Sequence, residues 1–276
     1  MPSEARVPTH AALDSVLLFD YGLRCRTGLH IGVGKSSAFA GSDLPVLRDG
    51  DGRPLVPGSS LRGVLRSGVE ALCTSLDLNA RKPMADTSTG DPKVDELAEA
   101  WNKLPLAERL FGRVGPSKAD RFSFGSRFQV SDARCEGEAL TELRDGVAIR
   151  RDTRTVSGSA KFDLEVVAEG TRFQGAIRVK NGSDYEVGLI AQALWMLDQG
   201  LLLLGGNSAR GLGWVEVLVS TPRRLTAADL LATSTPARGP GAGNGDAFGP
   251  VTEHLAHYLA ALREFAGGAN GTTNGG

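Results

Sequence analysis

The chain has 276 residues, 41% of them hydrophobic, and a formal net charge of −1. Such a length and apolar content suffice for a full core in one large domain or two small ones. The balanced charge excludes a bulk polycation that coats nucleic acid by charge alone, but not a local basic groove. Cys25, Cys73 and Cys135 lie far apart and match no paired metal spacing, so they read as reduced thiols. Residues 1–13 lack the apolar centre of a signal peptide and predict a loose arm. No apolar run approaches membrane-spanning length. A soluble, cytoplasmic protein with no membrane partner is expected.

Val16 to Arg26 alternates, with Leu17, Phe19, Tyr21, Leu23 and Cys25 on one face, the signature of a half-buried strand. Residues 27–51, rich in Gly, Ser and Asp, predict loop, with a short extended piece at Pro45-Val46-Leu47. Pro57-Gly58-Ser59-Ser60 opens a helix with a serine as N-cap, and Leu61, Val64, Leu65, Val69, Leu72 and Leu76 form its stripe. Arg62 and Arg66 fall four apart near its start, on a neighbouring face. Residues 77–125 read as a polar insertion with a short helix around Val94 to Leu104. A strand follows at Ser126 to Ala133.

Lys161 to Val167 alternates, with Phe162, Leu164 and Val166 inward and Lys161, Asp163 and Glu165 outward. Arg172 to Lys180 does the same, and the link Ala168-Glu169-Gly170-Thr171 predicts a hairpin of these two strands. A capping box, Ser183 with Glu186, starts a helix that Gly200 stops. A Gly-rich loop and a strand from Trp214 complete a β-α-β-β-α-β order. The fold class is α+β: a ferredoxin-like (RRM-like) palm over residues 14–221, with inserted segments. Residues 222–276 form a Gly/Pro-rich linker and a C-terminal amphipathic helix, Val251 to Phe265, with a disordered end from Gly267.

The loop Gly205 to Gly213 carries Asn207, Ser208 and Arg210 among four glycines. Glycine brings backbone N–H groups close to a ligand, and an arginine beside them makes a seat for phosphate. Leu29 to Ser36 resembles the end of a P-loop, but Leu29 replaces the leading glycine and no helix starts at Lys35, so nucleotide hydrolysis is set aside. His254 and His257 read as polar edges of the tail helix rather than metal ligands. Asp49 to Gly52 reads as a turn. Asp43 fits a turn equally well, or a carboxylate that holds a divalent ion or takes a proton from a ribose 2′-OH.

The basic residues cluster. Arg62 and Arg66 sit by a helix N-terminus, favourable for phosphate. Arg109, Arg113, Arg121 and Arg127 gather in the insertion. Arg150, Arg151 and Arg154 precede Lys161, among hydroxyls at Thr153, Thr155, Ser157 and Ser159 and one acid, Asp152. Such a stretch suits a sugar-phosphate chain.

Three segments together resemble the RAMP superfamily: Thr27 to Gly32, then Leu44-Pro45-Val46 with Pro57 to Arg66, then Gly205 to Gly213. The likeness spans about residues 17–219 and is strongest to the repeated backbone subunits of type III CRISPR effector complexes of the Csm and Cmr kinds. It implies a palm that holds a guide CRISPR RNA, a thumb hairpin at about 144–170 that kinks the guide–target duplex, and contacts with further copies of itself and other effector subunits. It implies cleavage of target RNA at regular intervals by a loop aspartate with Mg²⁺ or Mn²⁺, and Asp43 occupies that position as catalytic and metal-holding residue. His30, Ser59, Ser60 and Arg62 carry over as guide contacts, Arg150 to Lys161 as the thumb, and Gly206 to Gly211 as a phosphate-contacting loop. Some relatives hold a zinc after the first helix; Thr74 to Arg134 has no Cys or His, so no structural zinc is expected here. Two alternatives stand beside the slicing role: a catalytically silent RNA-coating scaffold, and a metal-independent guide-processing nuclease acting through His30.

Overall fold

The structure is a computed structural model that describes residues 12–33, 42–85, 90–115, 122–150, 152, 156–232 and 247–267. Residues 1–11 of the expected arm, residues 233–246 of the expected linker (233–249), the tail beyond Gly267, and Arg121, Arg151 and Arg154 lie outside the described residues.

The elements run in chain order as β1 (Ser15–Cys25), β2 (Leu55–Val56), α1 (Gly58–Ser75), α2 (Pro92–Lys103) and α3 (Leu106–Phe111). Next come β3 (Phe128–Val130), β4 (Ala133–Glu136), β5 (Thr141–Ile149), β6 (Val156–Val167), β7 (Arg172–Lys180) and α4 (Asp184–Asp198). The last are β8 (Val215–Val219), β9 (Arg223–Thr226), α5 (Ala227–Ala232), β10 (Gly249–Pro250), α6 (Val251–His254) and α7 (Ala256–Gly267).

β1 is the centre of the main sheet. Its strict alternation buries Leu17, Phe19, Tyr21, Leu23 and Cys25 on one face. It pairs antiparallel with β7 along Val16↔Lys180 to Arg24↔Arg172, and with β8 along Tyr21↔Val219 to Cys25↔Val215. β3 and β4 share the far edge of β7, β2 flanks β4, and β10 flanks β8. α1 and α4 pack together on the buried face. α4 is buried nearly all round, because the sheet and α1 cover one side and α7 the other. Gly188 on α4 lets α7 approach: a Cβ there would collide with the Tyr258 carbonyl oxygen. Tyr185 stacks on Phe265 across the same contact, ring centroids 4.2 Å apart. The described part of the tail thus folds back on α4.

Several expectations change in detail. The predicted strand at Ser126 to Ala133 is two, β3 and β4. Between the pairs Val130↔Ile177 and Arg134↔Gln174 this edge advances four residues while β7 advances three, a one-residue bulge. β6 does not pair with β7, because both edges of β7 are occupied. It pairs instead with β5, Thr141↔Val167 to Ile149↔Val156, as a separate two-stranded hairpin. Residues 168–171 are the corner between sheets, pinned by Cys25 N–H to Thr171 O (2.9 Å) and Gly170 N–H to Cys25 O (2.8 Å). α1 is capped by Pro57, not by a serine, and the Asp132 carboxylate accepts the Gly58 N–H at 2.7 Å. The tail helix breaks at Leu255 into α6 and α7.

The insertion's arginines hold the fold together. Arg127 makes a two-pronged ion pair with Glu186, both buried. Arg109 and Arg127 both lie against the Trp101 ring, 5.3 and 5.2 Å from its centroid. The three thiols are buried on three elements, and none forms a disulfide. Burial, with Cys135 nearby, pushes the Cys25 thiol up to about 12. Burial, with Glu70 nearby, pushes Cys73 up to about 11. Cys135 is raised as well, first by burial.

Candidate functional site

β6 organises the site. It pairs with β5 along its whole length, and its C-terminal half also collects two loop segments that lie more than 110 residues earlier in the chain. Leu29 forms a β-bridge with Val167, with amide-to-carbonyl bonds of 3.0 and 2.8 Å in the two directions. The His30 ring is buried, and its Nδ1 stands 2.7 Å from the Glu165 carbonyl oxygen. A carbonyl can only accept, so Nδ1 carries the proton and Nε2 is the remaining ring nitrogen.

Leu44 pairs with Leu164 in parallel: Leu44 N–H to Asp163 O at 3.1 Å, and Glu165 N–H to Leu44 O at 3.0 Å. Ser42 Oγ donates to the Asp163 carbonyl at 2.7 Å. Asp43 is exposed on this stitched segment, and its Oδ2 accepts the Asp163 N–H at 3.1 Å. The Pro45-Val46-Leu47 piece is extended, with Val46 bridged to Gly32 and the Leu47 N–H bonded to Ile31 O at 2.7 Å. Asp49 to Gly52 forms the expected turn, closed by Gly52 N–H to Asp49 O at 3.0 Å.

The Gly-rich loop docks on the same segment. Gly206 N–H donates to the His30 carbonyl at 2.8 Å, and Gly213 N–H to Gly28 O at 2.9 Å. Gly205 has φ +83°, and a Cβ there would strike the His30 carbonyl oxygen. Only glycine meets both demands. Asn207 is left-handed, Ser208–Arg210 is a short 3₁₀ turn, and Arg210 donates to Asn207 Oδ1 at 3.1 Å. Arg210 is exposed, and Asn207 and Ser208 are half-buried.

The other expected RNA contacts sit in different settings. Ser59 is exposed and Ser60 half-buried in the first turn of α1. Arg62 donates to the Phe111 carbonyl and lies 5.9 Å from the centroid of its ring. Arg66 pairs with Glu70 at 2.7 Å and reaches the Gly112 carbonyl at 3.3 Å. Both arginines therefore tie α1 to the end of α3. Arg150 lies at the hairpin tip, 3.5 Å from Asp152, and Lys161 stands opposite Val147 on β6.

Two charged residues beside the site escape the sequence reading. Alternation places Glu165 outward, but it is buried, because the loop 42–48 covers that face of β6. Its carboxylate accepts the Val46 N–H at 2.9 Å and pairs with Arg48. Burial alone would raise this carboxyl. The Val46 amide, the Thr141 hydroxyl and the Arg48 guanidinium together hold it below the usual range. Arg144 on β5 packs its guanidinium near Gly28, beside Val166 and Leu212. The sequence carries no signal for the burial of Glu165, because a loop more than 110 residues earlier in the chain is what covers it.

Among the described residues no three His, Cys, Asp or Glu side chains are grouped to hold a metal by themselves. A hard divalent cation here would rest on Asp43 and on oxygens brought by a ligand. That is the usual arrangement for Mg²⁺ on one or two carboxylates with substrate phosphates. No helix is long and apolar enough to cross a membrane among the described residues.

Comparison with known proteins places these segments in a family context. The model of the RAMP superfamily matches residues 23–216. A protein of Methanothermobacter thermautotrophicus named CRISPR system Cms endoribonuclease Csm3 is 30% identical over 207 residues, covering 70% of this chain and 79% of that one. Proteins of the same name from Methanocaldococcus jannaschii (26% over 203 residues; 70% and 75%) and Streptococcus thermophilus (27% over 216 residues; 71% and 84%) are similar as well.

Proposed function

Since this chain belongs to the RAMP superfamily, we propose that it is a guide-RNA-binding backbone subunit of a type III CRISPR effector that cleaves complementary target RNA at regular intervals. The relatives named Csm3 endoribonuclease support the nuclease reading. The observation that carries it is the presentation of Asp43: an exposed carboxylate on a loop stitched to β6, two strand positions from the contact that fixes His30 and, through it, the Gly-rich loop. The strand order β8-β1-β7-β3/β4, all antiparallel, with α1 and α4 on one face, agrees with a ferredoxin-like palm. The β5–β6 hairpin stands apart from that sheet, as a thumb requires.

In this reading the guide fixes sequence by base pairing, and the protein contacts backbone and shape, the division known from RNA-guided DNA effectors. Ser59, Ser60, Asn207, Ser208 and Arg210 meet guide phosphates with hydroxyls, amides and one exposed guanidinium. His30 reaches RNA through Nε2, since Nδ1 is committed to Glu165. Arg62 and Arg66 contribute the field of a helix start more than direct forks, their donors being engaged by carbonyls and Glu70. The hairpin wedges a target nucleotide out of its stack, and the basic side chains of the sequence stretch Arg150, Arg151, Arg154 and Lys161 meet its phosphates. The exposed ribose 2′-OH then attacks the adjacent phosphorus and the 5′ oxygen of the next nucleotide leaves, taking a proton from solvent, to give a 2′,3′-cyclic phosphate and a 5′-hydroxyl end. Asp43 orients that 2′-OH or takes its proton. A divalent cation held by Asp43 and the phosphate would neutralise charge on the reacting group.

The test uses the assembled complex with its guide and a labelled complementary RNA, wild type beside Asp43→Ala, in Mg²⁺ or Mn²⁺ and in EDTA. Evenly spaced cuts that vanish with EDTA and with Asp43→Ala, while target binding persists, are expected. Stable target binding with no cuts in the wild type would make the chain a scaffold. Metal-independent cutting abolished by His30→Ala would make it a guide-processing nuclease.

A further inference from the structure

We infer that Glu165 is the positioning residue of the Asp43 site. Its amide, carbonyl and carboxylate fix three parts of the loop system at once, and so aim the Asp43 carboxylate. The inference rests on Asp43 being the cutting residue.

Glu165 uses every polar group it has on a different partner. Its N–H donates to the Leu44 carbonyl, one residue after Asp43. Its carbonyl accepts from His30 Nδ1. Its carboxylate accepts the Val46 N–H and pairs with Arg48. Residues 30, 44, 46 and 48 are thereby referred to one Cα. The backbone links persist whatever the side chain, so the carboxylate is the replaceable part. It is the part that draws Val46 and Arg48 onto the hairpin.

A buried carboxylate is costly unless bonded, and stability alone does not explain its presence. The Arg48 side chain is 38% exposed, and ion pairs with so open a partner contribute little. The Val46 amide is the specific contact, and without an acceptor it would be left buried and unpaired. Leucine at this position would fill the volume and strand that amide. Glutamine would keep an oxygen for Val46 and give up the charge toward Arg48. If Asp43 must stand within a fraction of an ångström of its target, slackening the segment that carries it lowers the rate without lowering affinity.

The experiment compares wild type, Glu165→Leu, Glu165→Gln and Asp43→Ala in the assembled, guide-loaded complex. For Glu165→Leu, the cleavage rate at saturating target should fall roughly 10- to 100-fold. The target concentration for half-maximal rate should stay within about twofold. Glu165→Gln should recover most of the lost rate. Amide hydrogen exchange over residues 42–48 should quicken in Glu165→Leu, with β1 and α1 unchanged, and less so in Glu165→Gln. Unchanged exchange over 42–48 in both variants overturns the inference whatever the cleavage result, and so does a loosened segment with a full cleavage rate. A loss equal in Glu165→Leu and Glu165→Gln also overturns it, because the Val46 contact would then be irrelevant. If Asp43→Ala cuts like wild type, it is the functional reading that fails, while exchange still decides whether Glu165 anchors the segment.

Discussion

At the scale of single residues, the most consequential buried charge outside the site is Glu186. Burial would raise its carboxyl, but the charge and hydrogen bonds of Arg127, with those of Ser183, hold it below the ordinary 4.5. A carboxyl depressed in the folded chain contributes stability above its unfolded value and loses it as pH falls through the folded one. Arg127→Met strands an ionised carboxylate in the core and should cost about 3–5 kcal/mol near pH 7. The deficit relative to wild type should narrow as pH falls, because the variant's Glu186, buried and no longer held down by Arg127, takes up a proton and stops needing a cation. Thermal melts of both proteins at neutral pH and near pH 4 check this; a gap that does not narrow would mean the cost is lost packing on Trp101 rather than lost charge. Glu186 was legible beforehand as half of a capping box. Its second bond, to an arginine 59 residues away, was not.

At the scale of elements, α4 and α7 form the contact most dependent on one small side chain. Gly188→Val must displace the Tyr258 backbone, so α7 is expected to lift from α4. Overpacking of this kind typically costs ~1–3 kcal/mol. Hydrogen exchange should quicken across Val251–Gly267 and remain unchanged in the β5–β6 hairpin, which shares no face with α7. β1, α1 and β7 were readable because each buries one face and so repeats with its own period, and α4 because a capping box and Gly200 mark its two ends. β5 was not. It pairs only with β6 and stands off the sheet, so Glu142, Leu143, Arg144 and Asp145 are all exposed and carry no in-out rhythm. The bulge at Ser131 and Asp132 was equally silent, because it exists to fit β7 and to bring Asp132 to the start of α1. Asp43 was reachable from sequence only as a position within a motif. What holds it is a parallel bridge to residues 120 positions later.

At the scale of the whole molecule, distant segments meet along two strands: β1, which carries the sheet, and β6, which carries the site. The corner at residues 168–171 makes β6 and β7 one continuous path from hairpin to main sheet. The three buried thiols are spread across this architecture, one on the central strand, one near the end of the longest described helix, and one on a four-residue strand toward the sheet margin. A thiol reacts as its thiolate, and burial suppresses that form at all three. Each cysteine is therefore a built-in clock for the opening of its own neighbourhood. Pulsed alkylation of the untouched native protein, read by mass spectrometry, should tick first at Cys135, then at Cys73 and last at Cys25. If the proposed guide-binding role holds, guide RNA should slow all three; simultaneous labelling would show instead that sheet margin, helix and central strand open only as one cooperative unit.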